Sequence, residues 1–314
     1  MRPSAAIFFA IALSASAQSP AVKPFEINMD RVKVSSFGGN FGGTGTYIVP
    51  TVRVRVSVQG SVWAKSGGAK AHGKYFVAGI DRDEMQGLAK TLQDDLVTKL
   101  RAAGYTVLTY DDIKSDADVA SLSLDKPDSR YGLPTSGGLG TPVTFVDATP
   151  SDAQSFAKPV QGPAWSFRGL SKSKNATVII PELTFTTPQM FGQAETSAWT
   201  DKAGISTDPA MIFEGATVYG ITPKGGGPAI AVQRHGKRTA ADVAGKITKA
   251  SEDNYHVAHV SEFTTGDFVM ELDKPVFTGG ILRVGYAMND LIVAQVKKEH
   301  RPSTIPLMTP RPDR

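Results

Sequence analysis

The stretch that decides the fold is Lys74-Tyr75-Phe76-Val77-Ala78, then Asp81-Arg82-Asp83-Glu84-Met85 and onward to Ala103-Gly104, then Tyr105-Thr106-Val107-Leu108. Tyr75 to Ala78 is a short apolar run that reads as a buried strand. Asp81 stands where a helix N-cap belongs, and Glu84 three residues on completes a capping-box-like pair. Met85, Leu88, Ala89, Leu92, Leu96, Leu100 and Ala103 then fall on one helical face, while Asp94, Asp95, Lys99 and Arg101 take other positions. Gly104 ends the helix as its C′ residue, and a strand begins at once. Residues 74–108 therefore form a β-α-β unit. Its short connections predict two parallel strands in one sheet with a right-handed crossover.

Upstream, Val52, Val54, Val56 and Val58 alternate with Arg53, Arg55, Ser57 and Gln59, the period of a strand with one buried face. Asp111 or Asp112 is placed to cap a further short helix or turn. Downstream, Ala176 to Phe185 reads as a strand, and 211–221 with 229–234 as a hairpin turned by Pro223-Lys224-Gly225-Gly226-Gly227. Residues 268–272 read as a strand, 239–250 as a short helix and 188–209 as loop. Ile281, Val284, Met288, Leu291, Ile292 and Gln295 predict a last helix over 279–299, with Lys297-Lys298 where cations suit the helix dipole. The expected fold class is α/β (α+β): a mixed β-sheet with the β-α-β unit at 74–108 and a C-terminal helix packed on the sheet.

The order of these elements resembles the periplasmic α/β domain shared by the curli-secretion lipoprotein family and the amino-terminal domain of the TolB translocation protein. The likeness is carried by Tyr75–Ile80, Leu88-Ala89, Leu92, Leu96, Leu100, Ala103–Leu108 and Asp111-Asp112-Ile113, with 176–185, 211–221 and 279–299 following in the same order. It covers about half of the chain and implies a fold, not an activity. The chain has no cysteine for a lipid anchor, so pore formation and outer-membrane anchoring are not implied.

The ends and loops divide the rest. Met1-Arg2, the apolar run Ala5 to Leu13 and Ala15-Ser16-Ala17 match a secretory signal peptide, with cleavage expected after Ala17 and a periplasmic mature chain. Residues 18–50 are expected to be a flexible Gly/Pro-rich segment, 51–300 a single domain, and 301–314 a disordered Pro-rich tail. Within the domain, 125–172 holds Pro127, Pro134, Gly137-Gly138, Gly140, Pro142, Pro150, Pro159, Gly162 and Pro163. It reads as one long irregular loop around a short strand at 143–146, and such loops tend to be functional or mobile. No later apolar run reaches the ~20 residues of a membrane span.

The chemistry legible in the chain is sparse. With no cysteine, thiol catalysis, disulfides and Cys-ligated metals are excluded. A net charge of +4 without a dense Lys/Arg cluster gives no sign of a nucleic-acid partner. No Gly-x-Ser-x-Gly elbow occurs, and the glycine runs lack the Gly-Lys-Ser/Thr ending of a phosphate loop, so no catalytic residue and no cofactor is assigned. His256-x-x-His259 is the one paired-His pattern. Three-residue spacing splits the rings across a strand, so the pair reads as surface or packing histidines, with a metal site as the alternative. Glu182, on an otherwise apolar strand, is expected to face outward as a sheet-edge charge. An inward Glu182 would be costly and a functional candidate. Trp165, Phe167 and Arg168 sit in the long loop and are either anchors for a partner or pins holding the loop to the core. The expected function is a non-enzymatic envelope protein whose loops bind a protein partner or cell-wall polymer, with an exported hydrolase as the alternative.

Overall fold

A computed structural model describes residues 24–34, 39–42, 44–137, 143–157, 163–196, 201–233, 237–238, 244–249 and 263–300, with the side chains of 163–165, 196, 201, 237–238, 249 and 263–267 outside that set. The elements in chain order are β1 (Val32–Val34), β2 (Thr46–Val49), β3 (Arg53–Ser66), β4 (Ala69–Ala78), α1 (Arg82–Ala102), β5 (Thr106–Thr109), α2 (Tyr110–Ile113), α3 (Ala117–Ala120), β6 (Thr135–Gly137) and β7 (Thr144–Ala148). There follow α4 (Pro163–Ser173), β8 (Thr177–Thr186), β9 (Gln189–Thr196), β10 (Asp201–Asp208), β11 (Ile212–Thr222), β12 (Gly225–Val232), β13 (Lys237–Arg238), β14 (Gly245–Lys249), β15 (Phe263–Leu272) and α5 (Lys274–Glu299).

All strands but β9 and β10 belong to one mixed sheet, whose main path runs β1-β12-β11-β8-β3-β4-β15-β14. Its organising line is β2 followed by β3. Tyr47 pairs with Thr177 and Arg53 with Glu182, so the line runs parallel to β8. The upper part of β3, Gln59 to Ser66, pairs antiparallel with β4, while Val54 to Gln59 pairs with β7.

Strand, helix and strand do follow one another over β4, α1 and β5, in one sheet. The expected parallel pairing of the two strands is not what forms. β4 is antiparallel to β3, and β5 is parallel to β2. The registers give the reason. β4 ends beside Gln59, partway along the line, whereas β5 starts beside Thr46. α1, about 31 Å long for its 21 residues, continues the descent that β4 began and delivers the chain to the foot of β2.

α1 and α5 cover one face of the sheet. Met85, Leu88, Leu92, Leu96 and Leu100 of α1 and Phe277, Ile281, Val284, Met288 and Ile292 of α5 pack on Val52, Val54, Val56, Val58, Leu183 and Phe185. Asp81 caps α1 by accepting from the Glu84 amide at 2.9 Å, while the Glu84 carboxylate reaches across to Lys274 at 2.9 Å. α5 begins five residues before the apolar pattern suggests, because Asp273 accepts from the Val276 amide and Pro275 sits in the first turn, where its missing N–H costs nothing. A second core packs Phe167 and Leu170 of α4 on Val178 and Ile180 of β8.

Other expectations are revised. Residues 163–173, read as loop, are helix α4. The short strand expected at 143–146 is present as β7, and it pairs with 135–137, read as loop. Residues 189–196 and 201–208, also read as loop, form a hairpin. Residues 245–249, read as helix, pair antiparallel with β15. Within 18–50, β2 is a sheet strand, and Phe41 and Tyr47 are fully buried. Within 18–50 the strand β2 was hidden because its partners, β5 and β8, lie far away in sequence. Residues 1–17 and 301–314 lie outside the described residues.

Candidate binding surface

Two features stand out, one closed and one open. The closed one is a charge network on β3, β7 and β8. Arg53, 2% exposed, lies 3.2 Å from Asp125, 3.7 Å from Asp147 and 3.8 Å from Glu182, and it also donates to the Phe156 carbonyl. Arg55 donates to Asp147 at 2.7 Å and to Ser136 Oγ at 2.7 Å, and its guanidinium lies 5.1 Å from the Phe145 ring centre. Glu182 is thus buried on a strand paired along both edges, not a sheet-edge charge. Its charge adds to burial in pushing the nearby Tyr219 phenol up to about 12. The network ties Asp125, Ser136, Asp147 and the Phe156 carbonyl to the sheet. Each ion satisfies another, as burial of charge requires. Beside it Arg55, Glu182, Thr184 and Glu214 line a shallow depression of about 220 Å³.

The open feature is the outer half of the β3–β4 ribbon. One face is covered: Ala64, Ala71, Tyr75 and Val77 pack with Ala203 and Ile205 of the β9–β10 hairpin. Gly60 has no side chain because the Tyr75 ring occupies that space, and Gly192 lets β9 approach the Trp63 carbonyl. The opposite face carries the paired rows Lys65 and Lys70, Trp63 and His72, Ser61 and Lys74, and Gln59 and Phe76. Directly paired residues share a face and successive rows repeat every second residue, so these side chains form one stripe. Trp63 is 58% exposed, yet it lies flat on His72, with ring centres 3.8 Å apart and planes 16° apart. Phe76 is 41% exposed and stacks on Tyr131.

The residues singled out in the long loop part company. Phe167 is buried and meets Phe156 edge-on at 5.1 Å, so it is a core pin and not a partner anchor. Arg168 is exposed on α4. Trp165 lies in α4, with its side chain outside the described set. His256 and His259 lie outside the described residues, among which no group of acids and histidines is arranged to hold a metal ion. The ribbon stripe escaped the sequence reading because Trp63 and His72 meet only through the register of β3 with β4. A signal was there: Trp63, Lys65, Lys70, His72, Lys74 and Phe76 alternate with small or apolar residues on both sides of Gly67-Gly68. Among the described residues, no helix is long and apolar enough to cross a membrane. No family model, curated protein or solved structure matches the chain.

Proposed function

We propose that this chain is a non-catalytic binding protein of a bacterial envelope, working in the periplasm, that holds a protein partner or a cell-wall polymer. The observation that carries the reading is the ribbon stripe, an aromatic and basic surface open to solvent over a packed backing. A large aromatic fixed before binding loses little side-chain entropy on contact, which is why such residues serve as anchors. The export pattern at residues 1–17 and the resemblance to periplasmic α/β domains support the location. The contact surface is a strand ribbon and not the long loop.

Catalysis finds less support. Arg53, Arg55, Asp125 and Asp147 are engaged with one another. The depression beside them falls below the ~300–1,000 Å³ of typical small-molecule sites. A photo-crosslinking residue at position 63, compared with one at the exposed Lys114 position, tests the proposal in intact cells. Capture of an envelope component at 63 and not at 114 is expected. Equal or empty capture at both positions overturns the reading.

A further inference from the structure

Building on that reading, we infer that the occupant is a protein presenting acidic residues around an apolar ridge, docked on the sheet face that β4 shares with β15 and β14. Register places the surface. Gln59 pairs with Phe76, Phe76 with Val269 and Val269 with Thr248, so one row crosses four strands. Residues paired in register share a face, and at about 4.8 Å per strand the row is about 14 Å long. The alternate residues Tyr75, Val77 and Phe268 point the other way, into the core beneath the β9–β10 hairpin. Along the row Gln59 and Thr248 are exposed, Phe76 is 41% exposed and Val269 is half-buried. The half-buried Tyr131 widens the apolar part by stacking on Phe76.

The charges around this apolar centre are mostly of one sign. Lys74 stands one row to one side, and Lys65 and Lys70 stand two rows beyond it. Lys246, opposite Glu271, stands one row to the other side. These four lysines and Glu271 are exposed, and none of the lysines is ion-paired among the described residues. Cations on both sides of an apolar row complement an acidic partner, steer it to the surface and fix its register. Shape favours a protein over a polymer. A phenyl beside an aliphatic side chain makes an uneven apolar ridge, which the side chains of a protein surface can interlock with. A pyranose seats its C–H face on an open aromatic face, and a single-stranded nucleic acid needs aromatics for successive bases. Here Phe76 already stacks on Tyr131, and its neighbour in the row is Val269.

The test uses the full mature chain with labelled polymers at about 0.15 M salt: a random copolymer of glutamate and tyrosine, poly-glutamate, a copolymer of lysine and tyrosine, and a polyuronate. Binding is read by fluorescence anisotropy. The glutamate–tyrosine copolymer should bind and weaken as salt rises, with the other three at least tenfold weaker. Phe76→Ser and the double variant Lys74→Gln/Lys246→Gln should each lose fivefold or more. The glutamines replace exposed side chains and guard against a folding artefact in the phenylalanine variant. Poly-glutamate or polyuronate binding as tight as the glutamate–tyrosine copolymer, or copolymer binding indifferent to either variant, overturns the inference. No copolymer binding together with envelope capture at position 63 removes the acidic-protein assignment and leaves the broader reading standing. Failure of both removes both.

Discussion

Gly285 of α5 sits directly against Leu92 of α1: a Cβ placed on Gly285 would overlap both Leu92 methyls. The two helices close on the sheet at this point. Asn289, one turn further along α5, donates to the Leu92 carbonyl and to Asp95, at 2.9 Å each. Gly285→Ala adds helix propensity worth about 1 kcal/mol but overpacks a buried contact at a cost of about 1–3 kcal/mol. A net loss of about 1 kcal/mol is expected by denaturant titration. In the Leu92→Ala background the same substitution should become neutral or stabilising, and an unchanged penalty there would show that the helices do not meet as described.

Removing Arg53 should be among the most damaging single changes in the sheet. Arg53→Leu leaves Asp125, Asp147 and Glu182 without their shared cation, and breaking a buried charge group this way costs about 3–5 kcal/mol. Limited proteolysis within 125–157 should quicken in parallel, because Arg53 also holds the Phe156 carbonyl. A stable variant with an intact 125–157 segment would contradict the network's role.

Phe167 and its neighbour Arg168 should behave oppositely. Phe167→Ala empties a site between Phe156 and β8 and is expected to cost about 3–5 kcal/mol. Arg168→Ala, on the exposed side of α4, should stay within about 0.5 kcal/mol. Melting curves of the two variants decide between a core pin and a partner anchor at position 167.

Tyr219 links the network to alkaline pH. Burial, then the Glu182 charge, raise its phenol from 10.0 to about 12. A raised pKa contributes stability that is fully present below about pH 10 and is lost as pH rises through 10 to 12. Tyr219→Phe should therefore flatten the fall in stability across that window, and one phenolate fewer should appear late in a spectrophotometric titration. The same slope in both proteins would show that Tyr219 ionises like a free tyrosine.

What the sequence disclosed followed local periodicity. α1 was legible to its caps because Asp81, the Leu88–Leu92–Leu96–Leu100 stripe and Gly104 all lie within one continuous stretch. The β11–β12 hairpin was legible for the same reason, its turn lying between two apolar runs. Pairing between distant segments was not legible. Nothing in Thr46–Val49 announces that it lies between β5 and β8, or in 189–208 that its two strands, neighbours in sequence, pack over the distant β3–β4 ribbon. Glu182 looked like an edge charge because its partner Arg53 is 129 positions away and appeared only as the polar half of an alternating strand. The stripe was hidden in the same way, since it exists only once β3 and β4 are in register.

The β2–β3 line has a consequence for the order in which the protein can fold. Its partners come from β4, β5, β7 and finally β8, so the line is not fully paired until residue 186 has joined it. Sheets wired over such separations assemble slowly, on the scale of milliseconds to seconds. A chain whose first half cannot settle before its second half arrives commits to its native form only as a whole.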